Sequence, residues 1–140
     1  LFSLWEPIDN FNIGLNYSYT DTYDGADCDN PDAITIDCAI VRVPRHALNS
    51  AINYKTKNNI NNKLMIKYSG EARDYGNTNN AFADVILDDY ITFGYQVDYK
   101  LNGPYKIYFI ANNIFDQNYE QAYQYSTMGR TFNIGLKTEY

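Results

Sequence analysis

Four residues in the stretch "DQNYEQAYQYSTMGR", Tyr119, Tyr123, Gln124 and Tyr125, could present aromatic faces and amides to a bulky solute. They are the candidate ligand-contact residues, because loops held by a rigid scaffold are where such binding usually sits. The single histidine, His46, follows Arg45 in "VPRH". A metal centre needs several convergent ligands, so His46 reads as a hydrogen-bonding residue at a strand mouth. Cys28 and Cys38 form no CxxC, which argues against redox or zinc chemistry. Around them, Asp21, Asp24, Asp27, Asp29, Asp32 and Asp37 could offer oxygen ligands to calcium, but off the EF-hand spacing. A solvated acidic loop over 21–37 is the default, with calcium as the alternative. No nucleophile with its base, phosphate loop or catalytic carboxylate pair stands at an interpretable spacing. Neither enzyme activity nor a cofactor is expected.

These residues need elements to hold them, and the composition points to strands. Fifteen Tyr and seven Phe stand beside four Pro and one Trp, a balance rich in strand formers. The 45% hydrophobic content excludes a disordered chain. A net charge of -6 argues against a nucleic-acid partner held by a basic face. The longest apolar run, "IYFIA", is far short of the ~20 residues of a membrane-spanning helix. The chain opens on Leu1 without a basic n-region or an apolar h-region, so any secretory signal is expected upstream or already removed.

"FNIGLNYSY" alternates, with Phe11, Ile13, Leu15, Tyr17 and Tyr19 on one face. The same period of two runs through "LNSAINY", "KLMIKYSGEAR", "ITFGYQVDYK" and "TFNIGLKTEY", and blurs in "YKIYFIAN", where Tyr108 and Ile110 share the polar frame. A partial strand near "LFSLW" makes the count six to seven. With the frames set by the apolar residues, Lys55, Lys63, Lys67, Glu71, Arg73, Asp98, Lys100, Lys106, Lys137 and Glu139 all take the opposite face.

Connections alternate in length. "EPIDN", "KNNINN" and "NGP" are tight turn sequences, whereas 21–42, 74–89 and 114–129 are long. Antiparallel strands going up and down through a bilayer, with short turns on one side and long loops on the other, make this pattern. Tyr19, Tyr54, Tyr99, Tyr105 and Tyr140 fall where an interfacial aromatic girdle would lie. The expected fold is all-β: an antiparallel, up-and-down transmembrane β-barrel segment in contact with lipid. In such an exported chain Cys28 and Cys38 are disulfide candidates, and closing their loop would add on the order of 2 to 3 kcal/mol.

"NIGLKTEY" resembles the C-terminal assembly signal of outer-membrane barrels, through Asn133, Gly135 and the final Tyr140. More widely, Asn113, Ile114, Phe115, Asp116, Tyr119, Gly129 and Arg130 resemble the closing strands of TonB-dependent outer-membrane receptors. "PIDNFNIGLNYSYTDT" and "VPRHALNSAINY" resemble the family's rising and descending strands. The resemblance covers nearly the whole of residues 1–140. It implies six to seven strands from the C-terminal portion of a barrel of roughly 22 strands, with the N-terminal plug and the earlier strands absent.

What the resemblance implies about function is active uptake of a scarce bulky solute, cobalamin or a ferric siderophore, across the Gram-negative outer membrane. "YEQAYQYSTMGR" looks most like the cobalamin type. The implied partners are the solute, the TonB complex acting through the missing plug, the lipid bilayer and the barrel-assembly machinery. A small autonomous barrel of the OmpA kind, acting as anchor or adhesin, is the alternative, and a soluble β-sandwich binding module is the third reading.

Overall fold

The computed structural model describes residues 1–21, 40–78 and 81–138. Seven strands form one antiparallel sheet: β1 (Phe2–Ile8), β2 (Phe11–Tyr19), β3 (His46–Lys55), β4 (Ile60–Ser69), β7 (Tyr90–Lys100), β8 (Tyr105–Asn112) and β11 (Thr131–Thr138), in that spatial order. Two hairpins interrupt the meander, β5 (Ala72–Thr78) with β6 (Ala81–Leu87) and β9 (Glu120–Ala122) with β10 (Tyr125–Ser126). At one end the connections are tight. Asn10 and Asn59 there take φ of 64° and 58°, a left-handed conformation that asparagine tolerates better than most residues. Backbone bonds from Thr56 N–H to Ile60 O, 2.8 Å, and from Leu101 N–H to Tyr105 O, 2.9 Å, close two of these turns.

The register keeps the two faces apart. Trp5, Ile13, Ile52, Leu64, Tyr95, Ala111 and Phe132 lie in one row across all seven strands. The next row, on the other face, reads Asn12, Asn53, Lys63, Gln96, Ile110 and Asn133. A slip by one residue in β4 would carry Lys63 and Lys67 onto the apolar face, which pins its pairing.

No second layer covers that apolar face among the described residues. Among the described residues the buried hydrophobic ones are Ala72, Leu87, Tyr90 and Ala111, while Phe132, Ile134 and Leu136 are exposed, Ile134 to 78%. A water-soluble sandwich, the third reading, would bury such a row between two sheets. Along the face, Phe11, Tyr54 and Tyr99 stand toward the tight-turn end and Tyr17, Tyr19 and His46 toward the loop end. Tyr140 lies outside the described residues. β1 and β11 are the two edges of the sheet and do not pair with each other.

The structure corrects two sequence expectations. β4 stops at Ser69 rather than running to Arg73: Gly70 N–H donates to His46 O at 2.8 Å, and the chain then starts β5. Arg73 and Glu71 are therefore not charges on the β4 polar face. The span 74–89, expected as a loop, contains most of the β5–β6 hairpin, which satisfies its own backbone groups by pairing Ala72 with Leu87 and Tyr75 with Asp84.

The blurred frame of β8 also has a physical reason. Tyr108 lies opposite Gly135, and its ring occupies the space a Cβ at 135 would need, with Cζ and the hydroxyl against that position. The aromatic covers the glycine on the polar face, a device that pins strand register. Gly135→Ala should push the Tyr108 ring away and destabilise the β8–β11 pair by about 1 to 3 kcal/mol. In a double-mutant cycle, Tyr108→Ala should then cost much less in the Gly135→Ala background than in the wild type, because the ring has already lost its place over residue 135. Full additivity of the two losses would show that the ring and the glycine act independently.

Candidate functional site

At the end opposite the tight turns, residues 40–45, the β5–β6 hairpin and the segment 113–130 cap the sheet. Asp74, 0% exposed, is the joint between them. Its Oδ1 accepts from Arg42 Nε at 3.0 Å and from Tyr75 N–H at 2.8 Å; its Oδ2 accepts from Tyr123 N–H at 2.7 Å. Arg42 N–H also donates to Arg73 O at 2.7 Å. Three separate chain segments thus converge on one carboxylate. Burial alone would raise the Asp74 carboxyl, but the Tyr123 and Tyr75 amides and then Arg42 outweigh it and hold the group below the ordinary carboxylate range.

Arg73 beside it is 2% exposed. Its guanidinium donates to Asp84 Oδ1 through Nε at 3.0 Å and Nη2 at 2.8 Å, and lies 4.9 Å from the Tyr75 ring. This locks β5 to β6 by charge-assisted bonds. Sequence reading missed Arg42, Asp74 and Asp84. The available signal was the adjacent "RD" pair at 73–74, followed by the alternation of "AFADVIL".

The residues that carry the resemblance after β8 converge. Asn113, with φ 47°, receives Gln117 N–H at 3.0 Å on Oδ1 and donates from Nδ2 to Gln117 O at 2.9 Å. Asp116 Oδ1 receives Arg130 N–H at 2.7 Å, and Arg130 Nη1 donates to Ile114 O at 3.3 Å. A Cβ on Gly129 would come within 2.7 Å of Asp116 Oδ1, so the absence of a side chain there allows the carboxylate to reach Arg130. Ile114 N–H donates to Phe93 O at 2.9 Å, and Phe115 meets Phe93 edge to face at 5.2 Å. The element staples the start of the long loop to the start of β11.

The four candidate ligand-contact residues have different surroundings. Tyr119 stacks on Tyr90 at 4.1 Å, and Gln121 Nε2 donates to the Tyr90 hydroxyl at 3.0 Å. Tyr123 has its ring over Gly76 and its amide on Asp74. Gln124, at φ 63°, donates its backbone N–H to Glu120 Oε2 at 3.1 Å. Tyr125 is 73% exposed. Beneath this loop lies a hollow of about 380 Å³ lined by Arg42, Asn49, Lys67, Tyr90, Glu120 and Gln121, with Lys67 Nζ 5.7 Å from the Tyr90 ring. Aromatic faces, an ammonium and amides in one hollow can hold a polar, partly aromatic solute.

His46 accepts or donates a 2.7 Å bond between Nδ1 and the Tyr17 hydroxyl and packs 5.2 Å from the Tyr19 ring. Among the described residues, no group of three or more His, Cys, Asp or Glu side chains could hold a metal ion. Cys28, Cys38 and the acidic loop beyond Asp21 lie outside the described residues.

No family model matches the chain and no curated protein matches it in sequence. Solved structures do match it in fold. A mutant of the ferric enterobactin receptor PfeA from Pseudomonas aeruginosa superposes with a TM-score of 0.76 at 15% identity, over 99% of this chain and 21% of that one. The ferric-catecholate import receptor Fiu from Escherichia coli K12 matches with a TM-score of 0.74 at 16% identity, over 98% and 20%. The FrpB iron transporter of Neisseria meningitidis matches with a TM-score of 0.70 at 14% identity, over 95% and 22%. The chain thus spans about a fifth of the length of each. Its all-β, up-and-down sheet has the fold of a stretch of the barrel wall of TonB-dependent outer-membrane receptors.

Proposed function

We propose that residues 1–140 form the C-terminal part of the barrel of an outer-membrane receptor that binds a ferric siderophore and imports it under the drive of the TonB complex. One observation carries this reading: a single-layer sheet with a charge-free outer face, capped at one end by loops clasped on Asp74, aligns over nearly its whole length with barrels of receptors for iron compounds. The apolar face meets lipid, the polar face lines the lumen, and the capped end faces the medium. β1 and β11 then pair with further strands of a larger barrel, since open edges in hydrocarbon are costly. A plug outside residues 1–140 gates passage and takes the pull of TonB. The role is transport, not catalysis. Ferric siderophore replaces cobalamin as the favoured solute because the structures described above are receptors or transporters for iron and its chelates.

Deleting the gene should abolish growth on at least one ferric siderophore as sole iron source, with loss of radiolabelled iron uptake. Unchanged uptake of every ferric siderophore tested would sink the proposal. Within the site, Tyr125→Ala should weaken binding of that siderophore by about 1 to 2 kcal/mol while leaving the protein in the outer membrane, as measured by equilibrium binding to whole cells. A wild-type affinity in that variant would remove Tyr125 from the binding surface.

A further inference from the structure

We infer that Lys67 is the residue with which the receptor reads charge on its solute, and that the ferric chelate it takes is an anion. The inference rests on the receptor reading, which turns the capped end to the medium and the polar face to the lumen. It adds the charge class of the solute and the side chain that selects it.

The position of Lys67 follows from the register. It stands on the polar face of β4, opposite Asn49 on β3 and Thr92 on β7, so neither cross-strand neighbour carries charge. Two hollows meet at this point. The one of about 380 Å³ beneath the Tyr119 loop is followed toward the tight-turn end by one of about 440 Å³, floored by Gly14, Ala51, Met65 and Gly94. Among the described residues, only Asn49 and Lys67 line both. A solute that passes from the cap into the lumen along this wall meets the Lys67 ammonium on the way.

The sequence carries a net charge of -6, yet the carboxylates do not gather here. Among the described residues, the second hollow is lined by Lys63 and Lys67 and by no Asp or Glu. The first has one carboxylate in its lining, Glu120, whose Oε2 already accepts the Gln124 N–H. Asp74 and Asp84 are engaged by Arg42 and Arg73, and neither ion pair includes Lys67. Beside the Lys67 ammonium is the face of Tyr90, 5.7 Å away, a ring fixed by its stack on Tyr119 and by the bond from Gln121. A ring face attracts a cation but leaves its charge in place. The exposed ammonium therefore has N–H donors for an oxygen anion, and such charge-assisted bonds gain strength once a bulky solute excludes water. The donor groups of a chelate set its charge. Catecholates carry two negative charges each and leave the ferric complex an anion, whereas hydroxamates carry one each and leave it neutral. Lys67 favours the first.

Equilibrium binding of radiolabelled ferric chelates to outer membranes that contain the full-length protein tests this, with a panel of anionic catecholate and neutral hydroxamate complexes as probes. The wild type should bind an anionic complex in preference. Lys67→Gln should weaken that binding roughly 10- to 100-fold, the range of one lost charge-assisted bond. Lys67→Arg, which keeps the charge, should stay within about threefold of wild type. Added salt should weaken binding of the anion to the wild type more than to Lys67→Gln, a difference that a purely structural role for Lys67 would not produce. In the unsubstituted protein, saturation with the anion should also slow acylation of Lys67 by a hydrophilic reagent relative to Lys57, in the β3–β4 turn, so the test stands even if a variant fails to assemble. Preference for a neutral complex, equal binding of the anion by Lys67→Gln and wild type, or acylation of Lys67 unchanged by the bound anion would overturn the inference alone. Binding of no ferric chelate at all would overturn it together with the receptor reading.

Discussion

Leu64→Arg should destabilise the assembled protein by about 2 to 4 kcal/mol, the cost of a cation near the middle of a lipid-facing strand. Leu64 sits in the middle of β4, between Ile52 and Tyr95 in a row that carries no charge on any of seven strands. Asn16→Arg places the same side chain on the polar face, where its cross-strand neighbours Phe2 and Asn49 carry no charge. It should change stability by less than about 0.5 kcal/mol, as surface substitutions usually do. Urea-dependent unfolding of the full-length protein in lipid vesicles measures both. Equal costs would mean that the two faces meet the same solvent, which a barrel wall excludes.

The second large effect is expected at Asp74. Its two oxygens accept three N–H groups, and an asparagine in its place has one acceptor oxygen and an NH₂ group. That group would face either the Tyr123 amide or the Arg42 and Tyr75 donors, donor against donor. Asp74→Asn should therefore open the cap by about 2 to 3 kcal/mol, lowering the exchange protection of the Tyr123 amide roughly 30- to 150-fold. The pH dependence follows from the same contacts. Because the folded-state group is held below its ordinary value, its contribution is complete above the ordinary carboxylate range, near pH 4, and is lost as pH falls through the lowered folded value. Protection of Tyr123 should collapse only on that acid side in the wild type, and the Asp74→Asn variant should lack this limb. A collapse beginning near neutral pH would assign the clasp to another group.

What could be read from the sequence followed the strength of periodicity. β2, β3, β7 and β11 alternate cleanly, and their faces matched because burial and polarity act at every second residue. β8 did not, because Tyr108 is on the polar face to cover Gly135, a cross-strand contact without a local signature. The β5–β6 hairpin was hidden for a different reason: Arg73 continues the frame of β4, and the break at Gly70 depends on a backbone bond to His46 that only the folded sheet supplies. Asp74 was invisible as a site residue because its three donors come from positions 42, 75 and 123, far apart in the chain. The element from Asn113 to Arg130 was recognisable by resemblance alone; its Asp116–Gly129–Arg130 geometry gives the physical reason for the pattern.

The most direct test is a nitroxide scan along β7, one spin label at a time from Ile91 to Tyr99, on the full-length protein in lipid vesicles. Oxygen, which concentrates in hydrocarbon, should relax labels at 91, 93, 95, 97 and 99 strongly. A water-soluble nickel chelate should find those positions inaccessible near the strand centre, and labels at 92, 94, 96 and 98 should show low oxygen exposure. Alternation with a period of two would establish that one face of this sheet is against lipid. Uniform access of the nickel chelate along the strand, or oxygen exposure without alternation, would contradict it.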